Sequence, residues 1–282
     1  MGERLPLERL LSRWRVASRT QAQQWVRAGR VSVAGRVTHD PRRWVDPAAE
    51  EVCVDGVRAG PPAASGPACW LLLNKPRGVV STTHDPEGRP TVMDLVRAHA
   101  VPGLAPVGRL DKASAGLLLL TDDARLADRL LDPASHLAKR YRVKVRGRVQ
   151  PPMLEALRST ALEEDGLVLG PMQVEVEREG PRSCWLAVVL REGKNRQIRR
   201  RLEALGLEVE VLVRTAFGPL ELGTLPAGAV RVLDPHEVAA LAAAVARAGA
   251  RAPRAGADMK PARPQGGRAV QGRPAPRGRR RS

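Results

Sequence analysis

One carboxylate, Asp111, stands between a glycine-led segment and an apolar run, in Gly108-Arg109-Leu110-Asp111-Lys112-Ala113-Ser114-Ala115-Gly116 followed by Leu117-Leu118-Leu119-Leu120. An acid at the edge of an apolar strand, two residues after an arginine, can serve as a nucleophile or as half of a structural salt bridge. Composition alone does not choose between them. In Arg140-Tyr141-Arg142-Val143-Lys144-Val145 the two-residue period puts Tyr141, the only tyrosine of the chain, on one face with Val143 and Val145 and the basic residues on the other. Tyr141 therefore faces inward, for a core role or for stacking. In the segment from Glu192 to Gly206, Ile198, Leu202 and Leu205 form a buried helical stripe that Arg199 and Arg201 flank, while Arg196 and Arg200 point away. Periodicity leaves two candidates for an inward arginine. A phosphate-loop reading of Gly193-Lys194 fails, because Val188 stands where the first glycine is required and Asn195 where Ser or Thr must follow.

The elements that must position these residues are also legible. Leu71-Leu72-Leu73-Asn74-Lys75-Pro76-Arg77-Gly78 is an apolar strand broken by Lys-Pro-x-Gly, which bends the backbone where a substrate could approach. Leu7, Leu10, Leu11 and Trp14 recur at helical spacing, and Ser18 with Gln21 reads as a capping box for a second helix ending at Gly29. Strands at Val31-Ser32-Val33 and Glu51 to Gly56 follow, the first turning at Ala34-Gly35. Proline and glycine in residues 60–68 mark a linker, and from Cys69 to Ala248 short strand-like runs alternate with helical patterns at 198–205 and 236–246.

The chain has 282 residues and a formal net charge of +17, of which +9 falls in residues 251–282, +4 in residues 1–60 and +4 in the remainder. Arginine outnumbers lysine 41 to 6, a bias that genomic base composition could produce as readily as selection for RNA, yet the charge attracts polyanions whatever its origin. Cys53, Cys69 and Cys184 are isolated and never spaced as Cys-x-x-Cys, which disfavours a disulfide framework and a zinc site and fits a reducing cytoplasm. Residues 1–11 lack a secretory apolar core and no run reaches the roughly 18 apolar residues of a membrane span; Met1-Gly2 is not followed by Ser or Thr at position 6, which is Pro6.

Taken together, the motifs resemble those of the RsuA/RluB family of ribosomal RNA pseudouridine synthases over nearly the whole of residues 69–235. The first motif is Leu71 to Thr82 with Asp85 to Val92, the catalytic one surrounds Asp111, and the third runs from Glu192 to Gly206. Leu212-Val213-Arg214-Thr215 and Phe217 to Gly223 resemble the end of the catalytic domain, and residues 4–60 resemble an S4 RNA-binding domain. The resemblance implies an α+β protein: a small αL-type S4 domain at 4–60, a linker at 61–68, a mixed α/β catalytic domain with a largely antiparallel sheet at 69–248, and a disordered basic tail at 249–282.

It implies Asp111 as nucleophile, Tyr141 as the ring that stacks on the uracil, and Arg199 as the partner that keeps Asp111 charged and oriented. RNA contacts are expected from Arg15, Arg19, Arg27 and Arg30 of the S4 domain, where the alternative is a solvated basic face, and from Lys75, Arg109 and Arg214. No cofactor and no metal is expected. The expected partner is ribosomal RNA or an assembly particle, met by a cytoplasmic monomer away from membranes. The first motif, the S4 domain and the basic tail resemble the large-subunit branch more than the small-subunit one. A non-catalytic S4-type assembly factor would need only the S4 domain and the tail, whereas an enzyme requires Asp111, Tyr141 and Arg199 to converge.

The chain departs from the family pattern at Ala34-Gly35, where Asn-Gly is usual, and at Asp122-Asp123-Ala124, where Asn-Asp-Gly is usual. If the second turn needs a positive φ, alanine there costs about 1–2 kcal/mol. For the tail, removing residues 251–282 should weaken RNA binding and flatten its salt dependence while leaving the modified position unchanged. A salt titration of binding by full-length and truncated protein, with mapping of the product, checks this; an unaltered salt slope would show that the tail does not touch RNA.

Overall fold

The computed structural model describes residues 4–60 and 67–251, the side chains of 248–251 excepted. Most of the expected linker and almost all of the expected tail lie outside the described residues. The N-terminal module runs β1 (Leu5–Pro6), α1 (Leu7–Arg13), α2 (Arg19–Arg27), β2 (Val31–Val33), β3 (Arg36–Val37), β4 (Trp44–Val45), β5 (Val52–Val54) and β6 (Val57–Ala59). The Ser18 hydroxyl accepts from the Gln21 amide at 3.2 Å, supplying the backbone half of the expected capping box and fixing the start of α2. Leu7, Leu10 and Leu11 of α1 are fully buried against Ala22 and Val26 of α2 and against Val31 and Val33 of the sheet.

This sheet is antiparallel in the order β3-β2-β5-β6. Ala34 and Gly35 both have positive φ, 50° and 73°, as do Asp55 and Gly56, at 50° and 78°. Two left-handed central residues make the tight turn whose twist matches a hairpin. The alanine departure thus keeps the turn, at a backbone cost of about 1 kcal/mol.

The second part runs β7 (Trp70–Lys75), α3 (Val92–Leu95), β8 (Ala105–Pro106), β9 (Ala115–Thr121), α4 (Ala124–Leu131), β10 (Lys139–Arg146), α5 (Pro151–Ser159), β11 (Leu162–Glu164), β12 (Leu167–Leu169), β13 (Gln173–Glu179), β14 (Ser183–Leu190), α6 (Gln197–Glu203), β15 (Val209–Phe217), β16 (Leu220–Glu221), β17 (Val230–Val232) and α7 (Pro235–Arg251). The helical periods at 198–205 and 236–246 correspond to α6 and α7. One sheet has the order β13-β14-β10-β15-β9-β7-β17, with β16 on β15 and β8 on β9. It is antiparallel except where β15 meets β9, so the largely antiparallel α+β expectation matches the fold.

The leucine runs are apolar throughout because both faces of β7 and β9 are covered. Leu72, Leu117 and Leu119 pack with α4 and α7 residues such as Leu130 and Leu241, while Leu71, Leu73, Leu118 and Leu120 pack under Val79, Val92 and Leu110. A further core, with Val143, Val145, Leu186 and Leu202, lies between the sheet, α5 and α6, and Tyr141 packs against both this core and the one under Val79.

The turn at Asp122-Asp123-Ala124 needs no positive φ. Asp123 has φ −82° and caps α4 by accepting from the Leu126 amide at 3.0 Å, and Ala124 is the first helical residue. The buried Asp122 carboxylate accepts from the Cys69 amide at 2.9 Å and from the Arg15 guanidinium. Beside it, Arg19 pairs with Asp128 at 2.6 Å. Two arginines expected at RNA therefore join the N-terminal module to α4 and the turn before it.

Candidate active site

The segment that carries Asp111 is fastened through its backbone by the first motif. Lys75, at the end of β7, is fully buried, and its ammonium donates to the carbonyls of Pro76 at 3.0 Å, Asp111 at 3.2 Å and Ser114 at 2.8 Å. The Gly78 amide donates to the Lys112 carbonyl at 2.7 Å. The buried Ser81 hydroxyl donates to the Leu110 carbonyl at 2.9 Å and accepts from the Leu110 amide at 3.2 Å. The Asp111 side chain is left half-buried and lines a cavity. Lys-Pro-x-Gly is thus a clamp on the Asp111 loop. The expected RNA contact by Lys75 is corrected, since a side chain without exposed surface whose three protons meet three carbonyls cannot reach a phosphate.

Burial pulls the Lys75 pKa down to about 8, with the Asp111 charge opposing. The folded chain therefore binds this proton more weakly than the unfolded chain, whose lysine titrates near the usual 10.5. Between about pH 8 and 10.5 the unfolded state holds more protons, so Lys75 contributes more favourably to stability as pH rises. The unfolding free energy of the native chain, measured against Lys75→Met by urea titration, should rise relative to the variant across that window. A difference independent of pH would mean that the ammonium is not desolvated.

Arg199 and Arg201 are both buried, as the stripe required, and the structure separates their roles. Arg201 donates to the carbonyls of Ala156 at 3.0 Å and Leu157 at 2.9 Å, and also to that of Thr160, binding α6 to α5. Arg199 lines the cavity and donates to the carbonyls of Val209 and Ala113, each at 3.2 Å. The expected direct partnership with Asp111 is corrected: among the described residues no ion pair within 4 Å joins the two side chains, and Arg199 instead holds the Asp111 loop through Ala113. Burial and then the neighbouring Arg196 lower the Arg199 pKa, while the Asp111 charge acts the other way. The Arg199 Nε is buried without a hydrogen-bond acceptor among the described residues.

The cavity, about 540 Å³, brings together Asp111, Tyr141 and Arg199 from three separate segments. Its other charges are mostly positive, including Arg109, Lys139, Arg191, Arg196 and Arg214, and its second carboxylate, Glu192, is already held by Lys194 at 2.9 Å and by the Gly170 amide at 3.1 Å. Arg109 is exposed at the cavity wall. Arg214 is buried, its Nε donating to the Leu117 carbonyl at 2.7 Å. In the N-terminal module Arg27 is exposed, and Arg30 pairs with Asp55 while lying 5.0 Å from the Trp25 ring centre. Sequence reading missed the clamping roles of Ser81 and Arg201. Only the spacing of Arg201 beside the apolar stripe hinted at one of them.

Residues 70–204 match the family described as RNA pseudouridylate synthase, and residues 5–50 match the S4 domain. A Mycobacterium tuberculosis (strain H37Rv) protein named as an uncharacterized RNA pseudouridine synthase is 38% identical over 241 residues, 85% of this chain and 93% of the relative. Ribosomal large subunit pseudouridine synthase B of Bacillus subtilis (strain 168) is 33% identical over 238 residues, 84% of this chain and 95% of the relative. A crystal structure titled as a pseudouridylate synthase has the same fold, with a TM-score of 0.59 at 24% identity over 84% of this chain and 99% of the other. The sequence likeness extends over nearly the full length of these relatives, and the chain belongs to the RNA pseudouridylate synthase family, as an enzyme with an N-terminal S4 domain.

Proposed function

We propose that this enzyme isomerises a specific uridine of ribosomal RNA, in the large subunit, with Asp111 as the nucleophile. The convergence of Asp111, Tyr141 and Arg199 on one cation-rich cavity carries this reading. Likeness to relatives named for the large ribosomal subunit, from Bacillus subtilis and from Pseudomonas aeruginosa, supports the choice of RNA.

Isomerisation breaks the bond from C1′ to N1 and forms one from C1′ to C5; C5 loses a proton and N1 gains one, so no electrons are exchanged with a cofactor. An ionised carboxylate is the group the reaction needs, whether it attacks C1′, attacks C6 or assists elimination at the sugar. Asp111 supplies it from a loop whose backbone is tied at Leu110, Asp111, Lys112, Ala113 and Ser114. Such fastening holds the carboxylate in place without using its oxygens. The Arg199 guanidinium, in turn, adds positive charge where the attacking anion sits.

A buried uridine must leave its stack, at a cost of a few kcal/mol, and the half-buried Tyr141 ring offers a stacking face in exchange. The cationic cavity wall, with Arg109 and Arg214, and the exposed Arg27 of the S4 domain attract the phosphate backbone. Arg15, paired with the buried Asp122, ties the S4 domain to the turn before α4, whereas Arg19, in an exposed pair with Asp128, keeps a solvent-facing charge that adds to the attraction. Pseudouridine mapping of both ribosomal RNAs from a deletion strain, with and without the restored gene, tests the assignment. One large-subunit position should lose and regain the modification; loss confined to the small subunit would reassign the substrate.

A further inference from the structure

Strand β10 carries cations along its whole length, and those on its outward face are neutralised. Arg140 pairs with Glu221 at 2.6 Å, Arg142 with Glu177 at 2.7 Å, Lys144 with Glu210 at 2.8 Å and Arg146 with Glu208 at 2.9 Å. Lys139, which faces the cavity, has no carboxylate partner among the described residues; its ammonium donates to the Leu137 carbonyl at 3.1 Å and lies 5.7 Å from the centre of the Phe217 ring. Arg214 is the second such cation. Its guanidinium lies 5.3 Å from the same ring centre, and with Nε on the Leu117 carbonyl its two terminal nitrogens have no protein acceptor among the described residues.

A β-bulge brings the two together. Strand β15 opposes β10 with Phe217 across from Lys139 and Ala216 across from Arg140, but then Arg214, not Thr215, across from Tyr141. One extra residue reverses the alternation of sides. Without it Thr215 would face the cavity beside Tyr141 and Arg214 would point to the other side of the sheet. With it Lys139, Tyr141, Arg214 and Phe217 all line the cavity. Burial, and after it the charge of Arg214, lower the Lys139 pKa, as expected of two cations held close without a counter-charge. The bulged Thr215 spends its hydroxyl on the Arg140 carbonyl at 3.3 Å.

We propose that Lys139 and Arg214, beside Phe217, form a phosphate subsite that holds the backbone phosphate of the nucleotide whose base stacks on Tyr141. The ligand class is a phosphomonoester or phosphodiester oxygen pair, which a guanidinium edge and an ammonium can share. This subsite rests on the reading of the cavity as a nucleotide site. It assigns neighbouring parts of the cavity wall different work, with the base at Tyr141 and the phosphate beside Phe217.

The chain contains one phenylalanine and one tyrosine, so fluorine-labelled Phe and Tyr each give a single resonance, from Phe217 and Tyr141. Inorganic phosphate, uridine and uridine 5′-monophosphate are titrated into the full chain at constant ionic strength. Phosphate should move the Phe217 resonance, uridine that of Tyr141, and the nucleotide both. Lys139→Gln should weaken the phosphate response about tenfold, the factor expected for one charge-assisted hydrogen bond. Arg214→Lys, which keeps the charge but loses the fork, should weaken it too and guards against a folding defect in either variant. A Phe217 resonance indifferent to phosphate, or moved equally by chloride, overturns the subsite, as does an unchanged response in folded Lys139→Gln. If phosphate moves Phe217 while neither uridine nor the nucleotide moves Tyr141, the subsite stands as an anion site and the reading of the base pocket falls.

Discussion

Asp111→Asn should yield no measurable pseudouridine in a single-turnover assay while binding RNA within a few fold of the native enzyme. Asparagine nearly matches the shape of aspartate but lacks the anionic oxygen that the proposed attack requires. The variant should also fold normally. The loop around Asp111 is held through backbone carbonyls and amides by Lys75, Gly78, Ser81 and Arg199, none of which uses the carboxylate. For the same reason Asp111→Ala should be only mildly destabilised, since Arg199 keeps its bonds to Ala113 and Val209. Urea titration of all three proteins separates lost chemistry from lost folding. Native product yield from the Asn variant would end the assignment of Asp111 as nucleophile.

Gly116→Ala should destabilise the fold by about 3–5 kcal/mol, from a left-handed backbone together with a steric clash. Gly116 has φ +106°, and a Cβ there would lie 2.2 Å from the Arg214 carbonyl oxygen and 2.6 Å from the Arg214 amide nitrogen. This is the point where β9 and β15 meet in parallel, Gly116 opposite Arg214. The added methyl has no side chain to displace, because the atoms it meets are backbone. A loss of that size is a large fraction of the roughly 5–15 kcal/mol by which domains are stable. Urea unfolding should therefore show a markedly lower midpoint, and activity should fall as Arg214 is pushed from the cavity wall. Stability within 1 kcal/mol of native would mean that the two strands can part at little cost.

What the sequence determined by itself is what short-range periodicity and backbone chemistry can encode. The two-residue alternation of β10 pointed Tyr141 inward with Val143 and Val145, and the apolar stripe of α6 turned both Arg199 and Arg201 toward the core. The helices at α1, α2, α6 and α7, the turn at Ala34-Gly35 and the largely antiparallel α+β plan were legible for the same reason: each follows from residues within a few positions of one another. The family was readable because its motifs are contiguous runs.

Tertiary structure alone decided how the charges were used, because an ion pair or a carbonyl acceptor can lie a hundred residues away. Arg15 looked like an RNA contact until its partner, Asp122, arrived from the other domain. Lys75 was expected at RNA until the fold buried it under the carbonyls of residues 111 and 114. Arg199 and Arg201 are equivalent by period, yet α5 captures one and the cavity receives the other. The bulge opposite Tyr141 is the clearest case, since register is a property of two paired strands: neither β10 nor β15 by itself states that Arg214, rather than Thr215, faces the cavity.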